Sequence, residues 1–244
     1  MLLGASNLTF GLRAAADAAR AKLGGPVDVL AACGKGRSYA LRSCFVVRTL
    51  PGIDSCGLWR ALEAAGERPT FAVVTDLGND LAFGASAEQV AGWLDGVLAR
   101  LAGHGARTVL TGLPLASLRR IGPIEFTFWK HLFFPTRRVD RARLLEQAPE
   151  LDARVAELAR RYGLPKVDPE PDWYGLDPIH VRRGRRAEAW SAFVARWSDA
   201  PPNGAAPAKL RGSLWYEQVR LFGLETGRAQ PCAALADGTT FSLY

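Results

Sequence analysis

Met1-Leu2-Leu3-Gly4-Ala5-Ser6-Asn7-Leu8 reads as a short buried strand that enters a turn at Gly4 and Ala5, and a helical apolar period follows over 10–23. Strand, small-residue turn and helix in succession form the first half of a βαβ unit, because parallel strands need a crossover and a helix is the usual one. The pattern then repeats. Val27 to Cys33, Thr70 to Thr75 and Arg107 to Thr111 are apolar runs bounded by glycine or polar residues, with a weaker one at Leu164 to Asp168. Helical spacing fills 58–65, 86–103 and 140–162 between them. This alternation, with right-handed crossovers, predicts an α/β protein: a three-layer α/β/α sandwich around a flavodoxin-like parallel sheet of about five strands.

In such a sheet, ligands bind beyond the carboxyl ends of the strands. Ser6, Gly34, Asn79 and Gly112 each fall just after a predicted strand, so they converge on one rim. Two regions interrupt the alternation. Residues 113–139 are too long for a plain connection and concentrate aromatic residues between Glu125 and Pro135. They are expected to form a lid or acyl-chain wall, with Phe128, Trp129 and His131 touching substrate; packing onto the core is the alternative. Pro201-Pro202-Asn203-Gly204 then ends the last helix, and a strand-rich run from Leu210 to Leu224 precedes a hairpin signal at Asp237-Gly238. The chain divides accordingly into an α/β/α domain over 1–198 and a linker with a β-rich appendage over 199–244. The appendage is expected to cap the domain or to join two copies as a homodimer.

Composition narrows the class. The 244 residues are 48% hydrophobic and 23% charged, enough to bury a sizeable core. No apolar stretch approaches the roughly 20 residues of a membrane helix, and no basic start leads into a secretory leader, so a cytoplasmic protein without an integral span is expected. The net charge of +7 raises nucleic acid as a partner, with Arg182-Arg183-Gly184-Arg185-Arg186 as the densest basic run. That run opens an amphipathic helix carrying Ala187, Trp190, Phe193, Val194 and Trp197, so it reads as a solvated face or a positive rim for anionic substrates, not a nucleic-acid surface. Cys33, Cys44, Cys56 and Cys232 lack metal-ligand or disulfide-frame spacing and read as buried, reduced thiols. Neither a metal nor another cofactor is expected.

The chemistry is carried by Asp177-Pro178-Ile179-His180 together with Ser6. A serine hydroxyl becomes a useful nucleophile when a histidine takes its proton, and a carboxylate on the other ring nitrogen fixes the tautomer. Three-residue spacing across a turn lets one loop present both Asp177 and His180. Of the other two histidines, His104 sits at a helix end between Gly103 and Gly105 and reads as a cap, while His131 lies in the aromatic insertion.

Four separated blocks over about residues 1–198 resemble the SGNH (GDSL) hydrolase family. Leu3-Gly4-Ala5-Ser6-Asn7-Leu8 resembles its nucleophile turn, with Ala5 where the family usually has aspartate. Ala32-Cys33-Gly34-Lys35-Gly36-Arg37 stands where the family presents a glycine N–H to the oxyanion; Gly34 fits by spacing and Gly36 is the alternative. Asp76-Leu77-Gly78-Asn79-Asp80 resembles the GND segment, and Asp177-Pro178-Ile179-His180 the DxxH segment. The resemblance implies Ser6 as nucleophile, His180 as general base, Asp177 as its orienting acid, and an oxyanion hole from the amides of Ser6 and Gly34 and the side chain of Asn79.

What it implies in function is hydrolysis of a carboxylic ester, an O-acyl or O-acetyl group on a small molecule, glycan or lipid, through an acyl-enzyme. An acyltransferase with the same nucleophile and a noncatalytic binding domain on the same fold are the alternatives. Rival motifs fail on their own terms. Gly34-Lys35-Gly36-Arg37-Ser38 lacks the glycine spacing of a phosphate loop, and Tyr39 occupies the third glycine position of a dinucleotide fingerprint.

Overall fold

The computed structural model describes residues 1–133, 140–197 and 208–244, with the backbone alone at 129, 130, 132 and 133. In chain order its strands are β1 (Leu2–Leu3), β2 (Asp28–Ala32), β3 (Ser43–Phe45), β4 (Arg48–Leu50), β5 (Phe71–Val74), β6 (Arg107–Thr111), β7 (Lys166–Val167), β8 (Leu210–Gly212), β9 (Val219–Leu221), β10 (Leu224–Thr226), β11 (Ala233–Leu235) and β12 (Thr240–Leu243). The α-helices are α1 (Ser6–Leu23), α2 (Leu58–Ala64), α3 (Ala87–Gly103), α4 (Leu115–Arg119), α5 (Pro123–Phe133), α6 (Arg141–Tyr162) and α7 (Arg186–Val194).

The protein is α/β, built on a mixed, mostly parallel sheet of eight strands in the order β7-β6-β5-β1-β2-β12-β11-β8. The expected parallel strands are all present, as β7-β6-β5-β1-β2, with β1 paired to both β2 and β5. Because a strand turns successive side chains to opposite faces, neighbouring residues enter different cores. Leu3, Val74 and Leu110 pack with α3 and α6, whereas Leu2, Val73 and Val109 pack with α1 and α7. Ala187 is exposed, and the buried side of α7 is Ala189, Trp190, Phe193 and Val194, continued by Trp197.

Helix boundaries follow local chemistry. Gly24 and Gly163 take the left-handed conformation that ends α1 and α6. Ser86 and Gln89 close a capping box at the start of α3, and His104 caps its end.

The C-terminal residues depart from the expected appendage. They are β-rich, and Asp237-Gly238 does turn between β11 and β12, but the strands enlarge the sheet itself. β12 lies parallel to β2 from Thr240 opposite Asp28 to Leu243 opposite Ala31, and β11 and β8 add antiparallel strands outside it. A second sheet, β10-β9-β4-β3, pairs the hairpin over residues 43–50 with one from the far end of the chain. That first hairpin went unforeseen, since Ser43 to Leu50 shows no alternation and carries no Asn-Gly type of turn.

Candidate functional site

β1 and β5 are neighbours in space although 28–32 of the chain pairs on the other side of β1, so the strand order reverses between them. Ser6 follows β1 and Asp76 follows β5, which places both at the crevice where α/β sheets bind ligands. Gly4 lets the chain turn there: a Cβ would stand 2.7 Å from Thr75 Cγ2 and 3.1 Å from an Asp76 carboxylate oxygen.

Ser6 is the first residue of α1, so its N–H has no carbonyl one helical turn back and points out of the positive end of the helix. No side chain of Ala5 caps this end. The carboxylate comes from Asp76, whose Oδ2 accepts the N–H of Ala5 at 2.7 Å and of Leu8 at 3.2 Å. Asp76 adopts a φ of 60°, a left-handed conformation that Asp tolerates better than most residues and that turns its side chain onto α1.

The DxxH loop reaches the same point from residue 177. Asp177 Oδ1 accepts the N–H groups of Ile179 and His180, both at 3.1 Å, which fixes the carboxylate within its own turn. Its Oδ2 lies 2.7 Å from His180 Nδ1, and His180 Nε2 lies 2.7 Å from Ser6 Oγ. An ionised carboxylate only accepts, so Nδ1 is the donor; Nε2 is then the bare nitrogen and accepts the Ser6 hydroxyl. His180 is buried, with the Phe10 ring edge-on at 5.3 Å between centroids. The structure therefore brings Ser6, Asp177 and His180 into one proton-transfer line, a geometry able to activate the hydroxyl.

Asn79 shares a cavity wall with Ser6, and its side-chain amide donates to Arg37 O at 2.7 Å, leaving its second N–H for another acceptor. Gly34 lies in the neighbouring turn, where its carbonyl accepts Arg37 N–H, and it does not line that cavity. A Cβ at Gly34 would stand 2.4 Å from Leu50 Cδ1, so a larger residue there would have to displace the Leu50 side chain. The turn is held from behind: the Arg37 guanidinium, fully buried, donates to the carbonyls of Cys33, Pro51 and Tyr244.

The cavity beside Ser6 has a volume of about 120 Å³ and is walled chiefly by apolar side chains, among them Leu77, Leu81, Leu113, Leu118, Leu144 and Ala148. Among the described residues the insertion contributes to the cavity wall through Leu113, Pro114 and Leu118. Phe128 is exposed, and His131 is exposed with Nδ1 against Thr127 O of its own helix; neither lines the cavity. The side chain of Trp129 and residues 134–139 lie outside the described residues.

Asn7, Phe10 and Asp76 were not foreseen as site residues. Asn7 Nδ2 donates to Asp76 Oδ1 and to Ile179 O, both at 2.8 Å, while its Oδ1 accepts Val181 N–H at 2.8 Å. Its position beside Ser6 and that of Asp76 at a strand's carboxyl end were the available signals. Among the described residues no group of His, Cys, Asp and Glu is arranged to hold a metal ion, and no helix is long and apolar enough to cross a membrane. The chain matches no known protein-family model, and no curated protein is significantly similar to it.

Proposed function

We propose that the protein is a serine esterase of the SGNH (GDSL) type that hydrolyses a carboxylic ester through an acyl-enzyme on Ser6. The observation that carries this reading is the continuous hydrogen-bonded line from Asp177 through His180 to Ser6, at 2.7 Å for each link. The parallel strands β2-β1-β5-β6-β7 with helices against both faces suit the α/β/α sandwich of that family, enlarged here by the C-terminal strands.

In this mechanism His180 Nε2 takes the Ser6 proton as Oγ attacks the ester carbonyl, and Asp177 stabilises the imidazolium. The oxyanion forms at the start of α1, where the Ser6 N–H, the Asn79 side chain and the Gly34 N–H serve as donors. Each donor of this kind typically contributes on the order of 2.7–4 kcal/mol to the transition state. His180 returns its proton to the departing alkoxide, the acyl–alkoxy bond breaks, and a water deprotonated by His180 then releases the acid and restores Ser6.

The apolar cavity receives the acyl chain. A single water needs roughly 10–15 Å³ of such volume, so the cavity has room for on the order of ten heavy atoms, a medium-length chain. Reduced cysteines suit a cytoplasmic setting. The test is covalent labelling by a fluorophosphonate with peptide mapping: label on Ser6, lost together with nitrophenyl ester hydrolysis in Ser6→Ala, is expected. Labelling that persists in Ser6→Ala would overturn the assignment.

A further inference from the structure

The imidazole that deprotonates Ser6 must also protonate the leaving alcohol, so the alcohol half of the ester has to lie on the His180 side of Ser6. The walls of that side are distinct from those of the acyl cavity, which includes neither His180 nor Phe10, Lys35 or Arg186. Phe10 stands one helical turn beyond Ser6 on α1 and touches the His180 ring edge-on.

Two cations share the Phe10 ring. Lys35 Nζ lies 5.0 Å from its centroid and 5.9 Å from that of Phe45, and Arg186 Cζ lies 5.1 Å from the Phe10 centroid. Attraction to the ring faces holds both charges in place. Arg186 is fixed further by donating to the carbonyls of Phe10 at 3.1 Å and Val181 at 3.3 Å, which are neutral partners. Among the described residues neither cation is in an ion pair with a carboxylate, whereas Arg185, one position away, is bonded to Glu188 at 2.7 Å. Burial, and then the charge of Arg183, pull the Arg186 guanidinium below its ordinary range, as expected where positive charge is concentrated without compensation.

We infer that the alcohol half of the substrate carries an anionic oxoacid group, attracted by Lys35 and Arg186 beside Phe10 while His180 protonates its ester oxygen. This rests on the esterase reading and extends it to the leaving group. Two cations on the ring that touches His180 favour an anionic alcohol both in encounter and in the transition state, and repel a cationic one. Phe10 has a positioning role, since it supports the cations and the imidazole together.

The test is a set of butyrate esters that share the acyl group and nearly share their shape: those of 2-hydroxyethanesulfonate (anionic), 3,3-dimethylbutanol (neutral) and choline (cationic). The kcat/KM values are expected to fall in that order. The anionic ester should exceed the cationic one by about tenfold or more at low ionic strength, with the gap narrowing in 0.5 M salt. Lys35→Gln should narrow the ratio and Lys35→Glu should reverse it; because Lys35 is on the surface, these variants test the charge without removing the bonds that Arg186 makes. Equal or faster turnover of the neutral ester by the unaltered protein, with Ser6 still labelled by fluorophosphonate, would overturn this inference and leave the esterase reading standing. Failure of both labelling and turnover of all three esters would overturn both.

Discussion

Asn7 and Ile179, 172 positions apart in the chain, are joined at 2.8 Å by a bond from the Asn7 side-chain amide to the Ile179 carbonyl. The residue after the serine therefore clamps the residue before the histidine. With the Val181 N–H bound to the same side chain, the loop is held on both sides of His180. Truncation in Asn7→Ala should free the loop, lowering kcat/KM and the rate of fluorophosphonate labelling by about 10- to 100-fold, the scale of a misplaced reacting group. Asn7→Asp should do worse, since it sets a second carboxylate against Asp76 and loses both donors. Equal labelling rates in Asn7→Ala and the unaltered protein would show that the clamp is dispensable.

Ala148 faces the cavity from α6 and is fully buried, so a larger side chain there must occupy cavity space, which the esterase proposal assigns to the acyl chain. Ala148→Leu is expected to reduce octanoate hydrolysis about tenfold relative to acetate hydrolysis. Overpacking typically costs about 1–3 kcal/mol, so the thermal midpoint should also fall. The ratio of the two esters separates these effects, because lost stability alone lowers both rates together.

Asp80 follows Asn79 and is wholly buried, with Oδ2 accepting the Tyr39 N–H at 2.9 Å and Oδ1 without a hydrogen-bond partner among the described residues. Burial pushes its carboxyl up to about 6, against the opposing pull of hydrogen bonds from Ser38 and Tyr39. A folded value above the unfolded one favours the protonated, folded form. Its stabilising effect is complete below the unfolded value of about 4 and is lost as pH rises through about 6. The stability of the unaltered protein minus that of Asp80→Asn should therefore decrease by on the order of 3 kcal/mol from pH 4 to pH 7, measured by urea unfolding at each pH. A constant difference would show that Asp80 titrates normally.

Cys44 is exposed, against the expectation that every cysteine is buried, while Cys33, Cys56 and Cys232 are buried. Burial pushes the Cys33 thiol up to about 11, which removes the reactive thiolate at neutral pH. A maleimide should label Cys44 alone in the native protein and all four cysteines in denaturant, as counted by mass spectrometry of the peptides. Protection of two cysteines in denaturant without reductant would instead reveal a disulfide.

Much of the site was legible because its residues fall at the ends of strongly patterned elements. Strand ends placed Ser6 and Asn79 on one rim and a three-residue spacing paired Asp177 with His180, while the roles expected of them came from the family resemblance. The residues that hold them were harder to see. Asp76 acts by a backbone conformation, φ of 60°, that no local pattern announces, and Asn7 acts through partners far along the chain. The pairing of β12 with β2 was hidden for a related reason: alternation and a turn signal identify a strand but not its neighbour. Aromatic content drew attention to Phe128 and His131, whereas the cavity is walled by the less conspicuous Leu113 and Leu118 of the same insertion.

β12 sits beside β2 in the parallel part of the sheet, and Tyr244 beyond it receives the Arg37 side chain that backs the turn holding Asn79. During synthesis the strands that precede Ser6 and Asn79 emerge before β12, yet one flank of their sheet stays open until residues 240–244 leave the ribosome. Closing it joins segments more than 200 positions apart, the kind of long-range pairing that makes folding slow and leaves a hydrophobic edge exposed meanwhile. Assembly of the sheet around Ser6 should consequently wait for β12, more than 200 positions further along the chain.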